Sequence, residues 1–590
     1  MLFGGRRGGT PKVASVTNAE IAAALEELGV LYELDGADRY RVLAYGTAAK
    51  AIRESPVSVA ELAGRGEATK VPGVGKTLAE KIDALIATGE IPAAVKLKAK
   101  FPPTLIEVTR VPGVGSKTAR RLFEELEISS MEDLKAAAEG EKIRDVKGLG
   151  PKAEENILAS LERLGEPGEG PGRLLLSKVK PIAEELAAAL REHPASDRVE
   201  VAGSVRRWGE TCKDIDLIAT AEEPAALSEH LASHPLIAAA GTPGPNGVRA
   251  QTHNGVSVDL RIVAPAAFGN LLQHFTGSKA HNVQLREEAV SRGLSVSEHG
   301  ITETESGDIQ TCATEQEVYE RLGYAYIEPE LREGRGELKA AREGKLPQLV
   351  ELGDVKGDLH SHTTLSDGRN SVEEMAEAAR DRGYEYLAIT DHSASHGFGD
   401  HVTAERLWER IEEIAAWNKG YGKKDFRLLA GSEINIGLDG TLDYPDDLVA
   451  ALDWVVASVH TSFNVSEKQM TERVVTAIEN PNVDCIGHLT GRLIGRREPY
   501  GIDVEKVAEA AARTGTMIEI NGNPNRRDLS DLHARLASEA GVMIVLNTDA
   551  HGVDTLDNMA YAVATARRAW LTPGDVANTQ TWSEFRKLLG

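Results

Sequence analysis

The hydrophobic pattern changes its period along the chain. From residue 18 to 62, Ile21, Leu25 and Leu28, then Tyr40, Leu43 and Ala44, recur at helical spacing and predict amphipathic helices. Ser177 to His193 predicts another helix. Strand-like alternation follows in Arg198 to Ala202, Asp214 to Thr220 and Val256 to Val263. Asn254-Gly255 is a strong hairpin signal and pairs the last of these with Val248 to His253. Beyond residue 353, short apolar runs alternate with helical stretches: Leu387 to Thr390, Leu428 to Ala430, Trp454 to Val459, Val483 to Ile486, Met517 to Ile520 and Val542 to Leu546. That order predicts a parallel α/β architecture.

Alternation also decides which side chains share a face. Asp214 and Asp216 lie on one face of their strand, with Ile215 and Leu217 on the other. In the third strand Val256, Val258, Leu260 and Ile262 share one face, and Ser257, Asp259 and Arg261 the other. Three carboxylates on a sheet face repel one another unless divalent cations sit between them. Beside them, Gly203-Ser204-Val205-Arg206-Arg207 reads as a Gly-Ser turn with free backbone amides. The combination suits two Mg²⁺ ions gripping a triphosphate.

The helical region contains a repeat. Val71-Pro72-Gly73-Val74-Gly75 returns as Val111-Pro112-Gly113-Val114-Gly115, and a weaker Val146-Lys147-Gly148-Leu149-Gly150 follows. Each precedes a helical pattern, and a glycine turn at a helix N-terminus presents N–H groups to a phosphate. Lys76 and Lys117 add charge just after the first two turns.

In the C-terminal region, chemistry collects at the ends of the predicted strands. There stand Asp358, His360, His362, Asp367, Asp391, His392, Glu433, His460, His488, Asp549 and His551. Six of the region's nine histidines occupy such positions, the exceptions being His396, His401 and His533. Ligands at the C-terminal ends of barrel strands converge on one mouth, which makes this a candidate metal centre.

Composition narrows the rest. A chain of 590 residues predicts several domains. Cys212, Cys312 and Cys485 are too far apart for a disulfide framework or a Cys-type zinc site, which suits a reducing compartment. Net charge is −24, distributed as roughly −2 over residues 1–170, −8 over 171–352 and −14 over 353–590. Tight non-specific nucleic-acid binding is thereby disfavoured, whereas groove-level contacts from clustered lysines are not. Met1 to Thr17 lacks an apolar core and reads as a flexible tail. The expectation is a cytoplasmic, nucleoid-associated monomer without membrane association.

The G-S-x-x-R turn, the D-x-D strand and the later Val258-Asp259-Leu260-Arg261 resemble the palm of family X DNA polymerases, relatives of DNA polymerase beta. The resemblance implies Asp214, Asp216 and Asp259 as catalytic ligands of two Mg²⁺ or Mn²⁺ ions, and Ser204 and Arg207 as contacts to the nucleotide's phosphates. Gln273 to Asn282 resembles the family's Y-F-T-G-S…N element, which implies nucleotide binding by Gly277 and Asn282. Here His274 replaces the usual tyrosine near the sugar and Lys279 an acidic residue. Cys212 and Lys213 stand in place of a phosphate-binding serine and a glycine.

The glycine repeats resemble helix-hairpin-helix motifs. That implies DNA-backbone binding through Gly73, Gly75, Lys76, Gly113, Gly115 and Lys117, without base readout. Gly73 to Asp83 is also similar to the lyase domain of polymerase beta, with Lys81 at the Schiff-base position and Tyr40 at a pocket tyrosine. The family's phosphate-pocket lysines fall on Gly36, Thr69 and Thr77, so weak or absent lyase activity is expected.

Residues 354–590 resemble the PHP (polymerase and histidinol phosphatase) domain through their H-x-H, T-D-H and D-A-H elements. This implies a distorted (βα)7 barrel holding three Mn²⁺ or Zn²⁺ ions. His360, His362, Glu433 and Asp549 would hold one ion. His460 and His488, with Glu433 as bridge, would hold the second, and Asp367, His392 and His551 the third.

The expected layout is a tail at 1–17, lyase-like helices at 18–95 and fingers-like helices at 96–170. An α+β palm (171–265), a thumb (266–330), a linker (331–353) and the PHP domain (354–590) follow. The implied enzyme fills short gaps in gapped or nicked double-stranded DNA from dNTPs. It also hydrolyses phosphodiesters as a 3′→5′ exonuclease, with AP endonuclease or 3′-end cleaning in reach. The rival readings are a small-molecule phosphoesterase tethered to a DNA-binding module and a non-catalytic repair scaffold.

Overall fold

The computed structural model describes residues 16–109, 111, 113–146, 148–163, 173–395, 402–420 and 426–589. Most of the predicted tail, Pro112, Lys147, the Gly- and Pro-rich stretch 165–172, His396 and His401 lie outside the described residues. Contacts divide the chain into two compact units. One comprises Met1–Leu174, Lys178–Val201 and Lys213–Val263; the other comprises Leu175–Ser177, Ala202–Cys212 and Ala264–Gly590.

The first unit begins with helices whose ends are written in the local sequence. Thr17 caps Asn18–Leu34 in a reciprocal box with Glu20, and Gly89 at φ +77° stops Lys76–Thr88. Ile21, Leu25 and Leu28 are fully buried, as their spacing predicts, but Tyr40 is 86% exposed and Leu43 half exposed. Leu97, Leu105, Leu122 and Leu134 continue the same core through Ser116–Leu126 and Met131–Glu139.

The palm sheet has five strands in the order Ser196–Val201, Asp214–Ala221, Ser257–Ile262, Gly247–Thr252 and Ile237–Ala240. Asp214–Ala221 and Ser257–Ile262 run parallel, while the other neighbours are antiparallel. Gly255 closes the predicted hairpin at φ +84°. Gly247 carries φ +119°, and a Cβ there would strike the Leu260 carbonyl.

In the second unit, Phe268–Thr276, Lys279–Val290, a small three-stranded sheet and Glu315–Arg321 form the thumb. The charged stretch 331–353, expected to be a linker, is folded instead. It contains the helix Glu337–Glu343, and Leu331, Leu338, Ala341 and Leu349 join the thumb core. Its charges are paired: Arg332 is fully buried against Glu315, and Glu337 accepts from Gly334 and Arg335 amides and meets His281. The segment Ala202–Cys212 also departs from expectation, since Gly203–Arg206 is a helical turn entered through Gly203 at φ +65°.

Seven parallel strands follow in strict chain order, from Gly357–Asp358 to Ile544–Asn547. A parallel bridge between Ser361 and Ala550 joins the first strand's end to the last strand's end, so the sheet is a nearly closed barrel. Helices cover its outside and bury Val455, Ile486, Ile518 and Leu546. No helix among the described residues is long and apolar enough to cross a membrane.

Candidate active sites

In the palm, burial alternates over the first four residues of Asp214–Ala221 and along Ser257–Ile262. Ile215, Leu217, Val258 and Leu260 are buried, whereas Asp214, Asp216 and Asp259 are partly open. The parallel register sets Asp216 opposite Asp259 and Asp214 opposite Ser257, so the three carboxylates share a face. Asp259 takes Arg261 Nη2 at 2.9 Å and Arg249 Nε at 3.4 Å. An all-oxygen donor set on rigid strands fits Mg²⁺ or Mn²⁺.

On the other unit, Ser204 is partly exposed and its carbonyl accepts from the Gly209 amide at 2.8 Å. Arg206 reaches Thr276 Oγ1 at 2.8 Å and Glu315 Oε2 at 2.7 Å. Arg207 Nε donates to Glu333 Oε1 at 3.1 Å, and its Nη1 donates to the Thr276 carbonyl. Gly277 takes a left-handed φ of +66° that favours glycine, and a Cβ there would lie in van der Waals contact, 3.4 Å from Arg207 Nη1. The structure thus brings Arg207 and Gly277 together. Asn282 is held locally: its Nδ2 donates to the His274 carbonyl and its Oδ1 accepts from Gln273 Nε2. Burial lowers the pKa of His274, whose Nδ1 is 3.1 Å from Arg286 Nη2.

The glycine repeats share one geometry. Gly73, Gly113 and Gly148 have φ of +79°, +90° and +85°, and in each turn the residue after the glycine donates its amide to the valine carbonyl. Gly75 and Gly115 are extended N-caps without a side-chain cap, and Lys76 and Lys117 are exposed beside them. Lys81 lies half-buried on the helix opened by Gly75, whereas Tyr40 is exposed.

Each barrel strand delivers a polar group to one end. His360 and His362 follow the first strand, His392 the second, His460 the fourth, His488 the fifth, and Asp549 and His551 the seventh. Glu433 and Glu519 sit within the third and sixth. Glu433 is the hub. Its Oε1 lies 2.8 Å from His488 Nε2 and 3.2 Å from His460 Nε2, while its Oε2 is 2.9 Å from His392 Nδ1 and 3.3 Å from His360 Nε2. Asp549 Oδ1 is 3.2 Å from His362 Nε2, and Asp367 Oδ2 is 3.2 Å from His551 Nε2. Potential ligand atoms gather into three overlapping groups: His360, His362 and Asp549; His392, Glu433 and His460; and His362, Asp367, His392 and His551. The grouping differs from the expected apportionment in that His362 and His392 each belong to two groups.

Both Glu433 oxygens, His360 Nε2 and His362 Nδ1 are buried and meet no hydrogen-bond partner of good geometry. Such groups are costly unless a cation satisfies them, so the residues fit bound metal, and mixed imidazole and carboxylate donors suit Mn²⁺ or Zn²⁺. The electrostatics agree. Burial disfavours charge on Glu433, but His460, His360 and His392 overcome it and hold the carboxyl well below its usual range. Burial likewise opposes charge on His360, yet Glu519, Glu433 and Asp549 raise its pKa well above that of free imidazole. Burial and the neighbouring His551 and His392 push His362 down to about 4. His488 and Asp549 also adopt positive φ, +26° and +54°, the kind of backbone strain that gathers at functional sites.

Two further carboxylates support the centre: Glu519, which the strand-end pattern does not reach, and Asp358, which it does. Glu519 is fully buried, 2.6 Å from His360 Nδ1, and accepts from the His488 amide at 3.1 Å and from Asn547 Nδ2 at 3.0 Å. Asp358 accepts from the His360 and Thr548 amides, and burial raises its pKa to about 6. The signal was present for Glu519, an acid flanked by Ile518 and Ile520 in a run buried on both faces.

Known proteins corroborate this architecture. Family models match a helix-hairpin-helix domain over residues 16–91, a SAM-like helix-hairpin-helix tandem over 105–163, a DNA polymerase beta thumb over 271–333 and a PHP domain over 358–523. The DNA polymerase/3′-5′ exonuclease PolX of Bacillus subtilis is 39% identical over 572 residues, which is 97% of this chain and 99% of that one. DNA polymerase lambda of Rattus norvegicus is 24% identical over 54% of this chain and 56% of its own. A probable phosphatase of Thermoanaerobacter is 32% identical over 38% of this chain and 89% of its own. Kinship at that level, end to end, makes this chain a member of the PolX family, the family X DNA polymerases that carry a C-terminal PHP domain.

Proposed function

We infer that the protein is a DNA repair enzyme with two activities, template-directed nucleotidyl transfer and 3′→5′ exonucleolysis. The observation that carries this reading is the full-length kinship with a DNA polymerase/3′-5′ exonuclease. It acts on gapped or nicked DNA with dNTPs, as a cytoplasmic, nucleoid-associated monomer. The left-handed glycines before uncapped helices support backbone binding by Gly73, Gly75, Lys76, Gly113, Gly115 and Lys117.

Nucleotidyl transfer is assigned to the palm carboxylates. Asp214, Asp216 and Asp259 would hold two Mg²⁺ or Mn²⁺ ions, which when bound neutralise phosphate charge and activate the primer's 3′ hydroxyl. Asp259, rigid on its strand, orients that hydroxyl. Ser204 and Arg207 contact the triphosphate, and Gly277 binds the nucleotide beside Arg207. Asn282 addresses the nucleotide's minor-groove edge once its contacts to Gln273 and His274 are exchanged.

Phosphodiester hydrolysis is assigned to the barrel. His360, His362, Asp367, His392, Glu433, His460, His488, Asp549 and His551 would hold three Mn²⁺ or Zn²⁺ ions, whose chemistry is to lower the pKa of water and polarise a phosphate. Glu519 fixes the orientation of His360 through Nδ1, leaving Nε2 to face the mouth. Arg526, 3.7 Å from Asp549, brings positive charge to a scissile phosphate. The similarity of this half to probable phosphatases supports 3′-end cleaning as a related use of the same centre.

A labelled primer on a one-nucleotide gap, with Mn²⁺ and with or without dNTPs, tests both assignments. Asp214→Ala/Asp216→Ala should lose extension and keep shortening; His360→Ala/His362→Ala should do the reverse. Shortening that survives the histidine changes would refute the barrel assignment.

A further inference from the structure

The segment Ala202–Cys212 belongs by its contacts to the unit that contains the thumb and barrel. Barrel residues grip it at successive positions. Arg568 Nη1 donates to the Arg207 carbonyl at 2.9 Å, and Arg527 Nη1 to the Trp208 carbonyl at 2.8 Å. The Trp208 ring meets Tyr561 edge-on, with centroids 5.6 Å apart. Glu210 accepts from Arg492 Nη2 at 2.6 Å. Trp208 itself sits at φ +54°, a region that bulky residues rarely occupy, so these contacts hold a backbone that local preference opposes.

Two of the gripping residues neighbour the metal centre along the chain. Arg492 is four residues beyond His488, and Arg527 is the neighbour of Arg526, which faces Asp549. Arg568, at the end of Met559–Arg568, is oriented by Asp531, which takes its Nε at 3.0 Å and Nη2 at 2.9 Å. Its Nη1 reaches Glu333 Oε1 at 2.7 Å, the same oxygen that accepts from Arg207 Nε. One carboxylate is therefore shared by a guanidinium of the turn and a guanidinium of the barrel. While Arg568 shares Glu333, Arg207 keeps positive potential toward an approaching phosphate. Without Arg568, the whole carboxylate charge falls on Arg207.

We propose that the PHP domain sets the shape and charge of the polymerase's nucleotide-phosphate turn, with Arg568 and Glu333 as positioning residues for dNTP binding. This rests on the reading of Ser204 and Arg207 as phosphate contacts. The nuclease domain then has a second role, as the outer support of the polymerase's nucleotide site.

Steady-state gap filling by the full-length chain tests the proposal. Arg568→Met is expected to raise KM for dNTP about tenfold, with kcat within about threefold and exonuclease rate unchanged. Adding Glu333→Gln should bring KM back to within about threefold of wild type, because a neutral amide no longer retains Arg207. A purely structural role for Arg568 would show no such rescue, and its absence would overturn the proposal. Arg207→Ala runs alongside. If it leaves KM unchanged, the phosphate reading of the turn fails; if it raises KM while Arg568→Met does not, the coupling alone fails. Should Arg568→Met lose both exonuclease activity and its melting transition, Glu210→Gln decides from the turn side. A rise in KM of about threefold with exonuclease intact supports the clamp, and an unchanged KM refutes it.

Discussion

Asp216 and Asp259 are directly paired residues on neighbouring parallel strands, the sole parallel pair of the palm sheet. Both side chains leave the sheet on the face opposite Ile215, Leu217, Val258 and Leu260, so the hydrophobic core beneath fixes their spacing. A one-residue slip would bury both acids.

Removing one of the pair should abolish nucleotidyl transfer and spare the barrel. Asp259→Ala is expected to lower gap filling on the order of 10³-fold. Primer shortening in Mn²⁺ should stay within about twofold of wild type. Single-turnover extension and exonuclease assays on the same substrate check both parts.

Glu519 acts on the barrel centre through His360. Glu519→Gln keeps the side chain's shape but removes the charge that holds the imidazole's Nδ1. Exonuclease activity and Mn²⁺ affinity should each fall about 10- to 100-fold, with gap filling unaffected. Titration of Mn²⁺ followed by calorimetry distinguishes lost binding from lost turnover.

Glu315 lies between Arg206 and Arg332 in the thumb. Burial opposes its charge, but Arg332 and Arg206 prevail and bring its pKa down to about 2. A depressed folded pKa gives stability that is complete above the ordinary carboxylate range and is lost as pH falls toward about 2. Glu315→Gln should therefore cost about 3 kcal/mol at pH 7 and flatten the acid limb of the stability profile below about pH 4.5. Urea midpoints measured from pH 3 to 7 follow both effects.

Asp484 has the opposite sign. Burial pushes its pKa up to about 7 although the Val455 amide donates to it at 2.8 Å. A raised carboxyl pKa means that stability is complete below the ordinary Asp value of about 3.9 and is lost as pH rises through about 7. Asp484→Asn keeps an acceptor for that amide. It should raise the melting temperature at pH 8, by the equivalent of about 1–2 kcal/mol, and change little at pH 4.

The left-handed glycines of the hairpin turns, the alternation around Asp214 and Asp259, and the strand-end histidines were all legible along the chain. Each is a local fact: a turn needs a glycine at positive φ, a half-buried strand needs period two, and a parallel barrel aligns its strand ends. Glu519 was less legible, because a carboxylate inside an apolar strand reads as an interruption until His360 is known to sit 2.6 Å away. The composition of 331–353 suggested a linker, since its charges look solvated until Arg332 meets Glu315.

Sequence alone determined the palm's acidic face, the strand-end placement of the barrel's histidines and the order of the elements, because periodicity and strand polarity are properties of consecutive residues. Only the tertiary structure decided that Glu433 is the hub of five imidazoles, that His362 and His392 each serve two groups, and that Arg568 reaches back to Arg207 across 361 positions of chain. Those relations are set by how packed layers close in space, and no local pattern encodes the distance between residues that meet only after the core has formed.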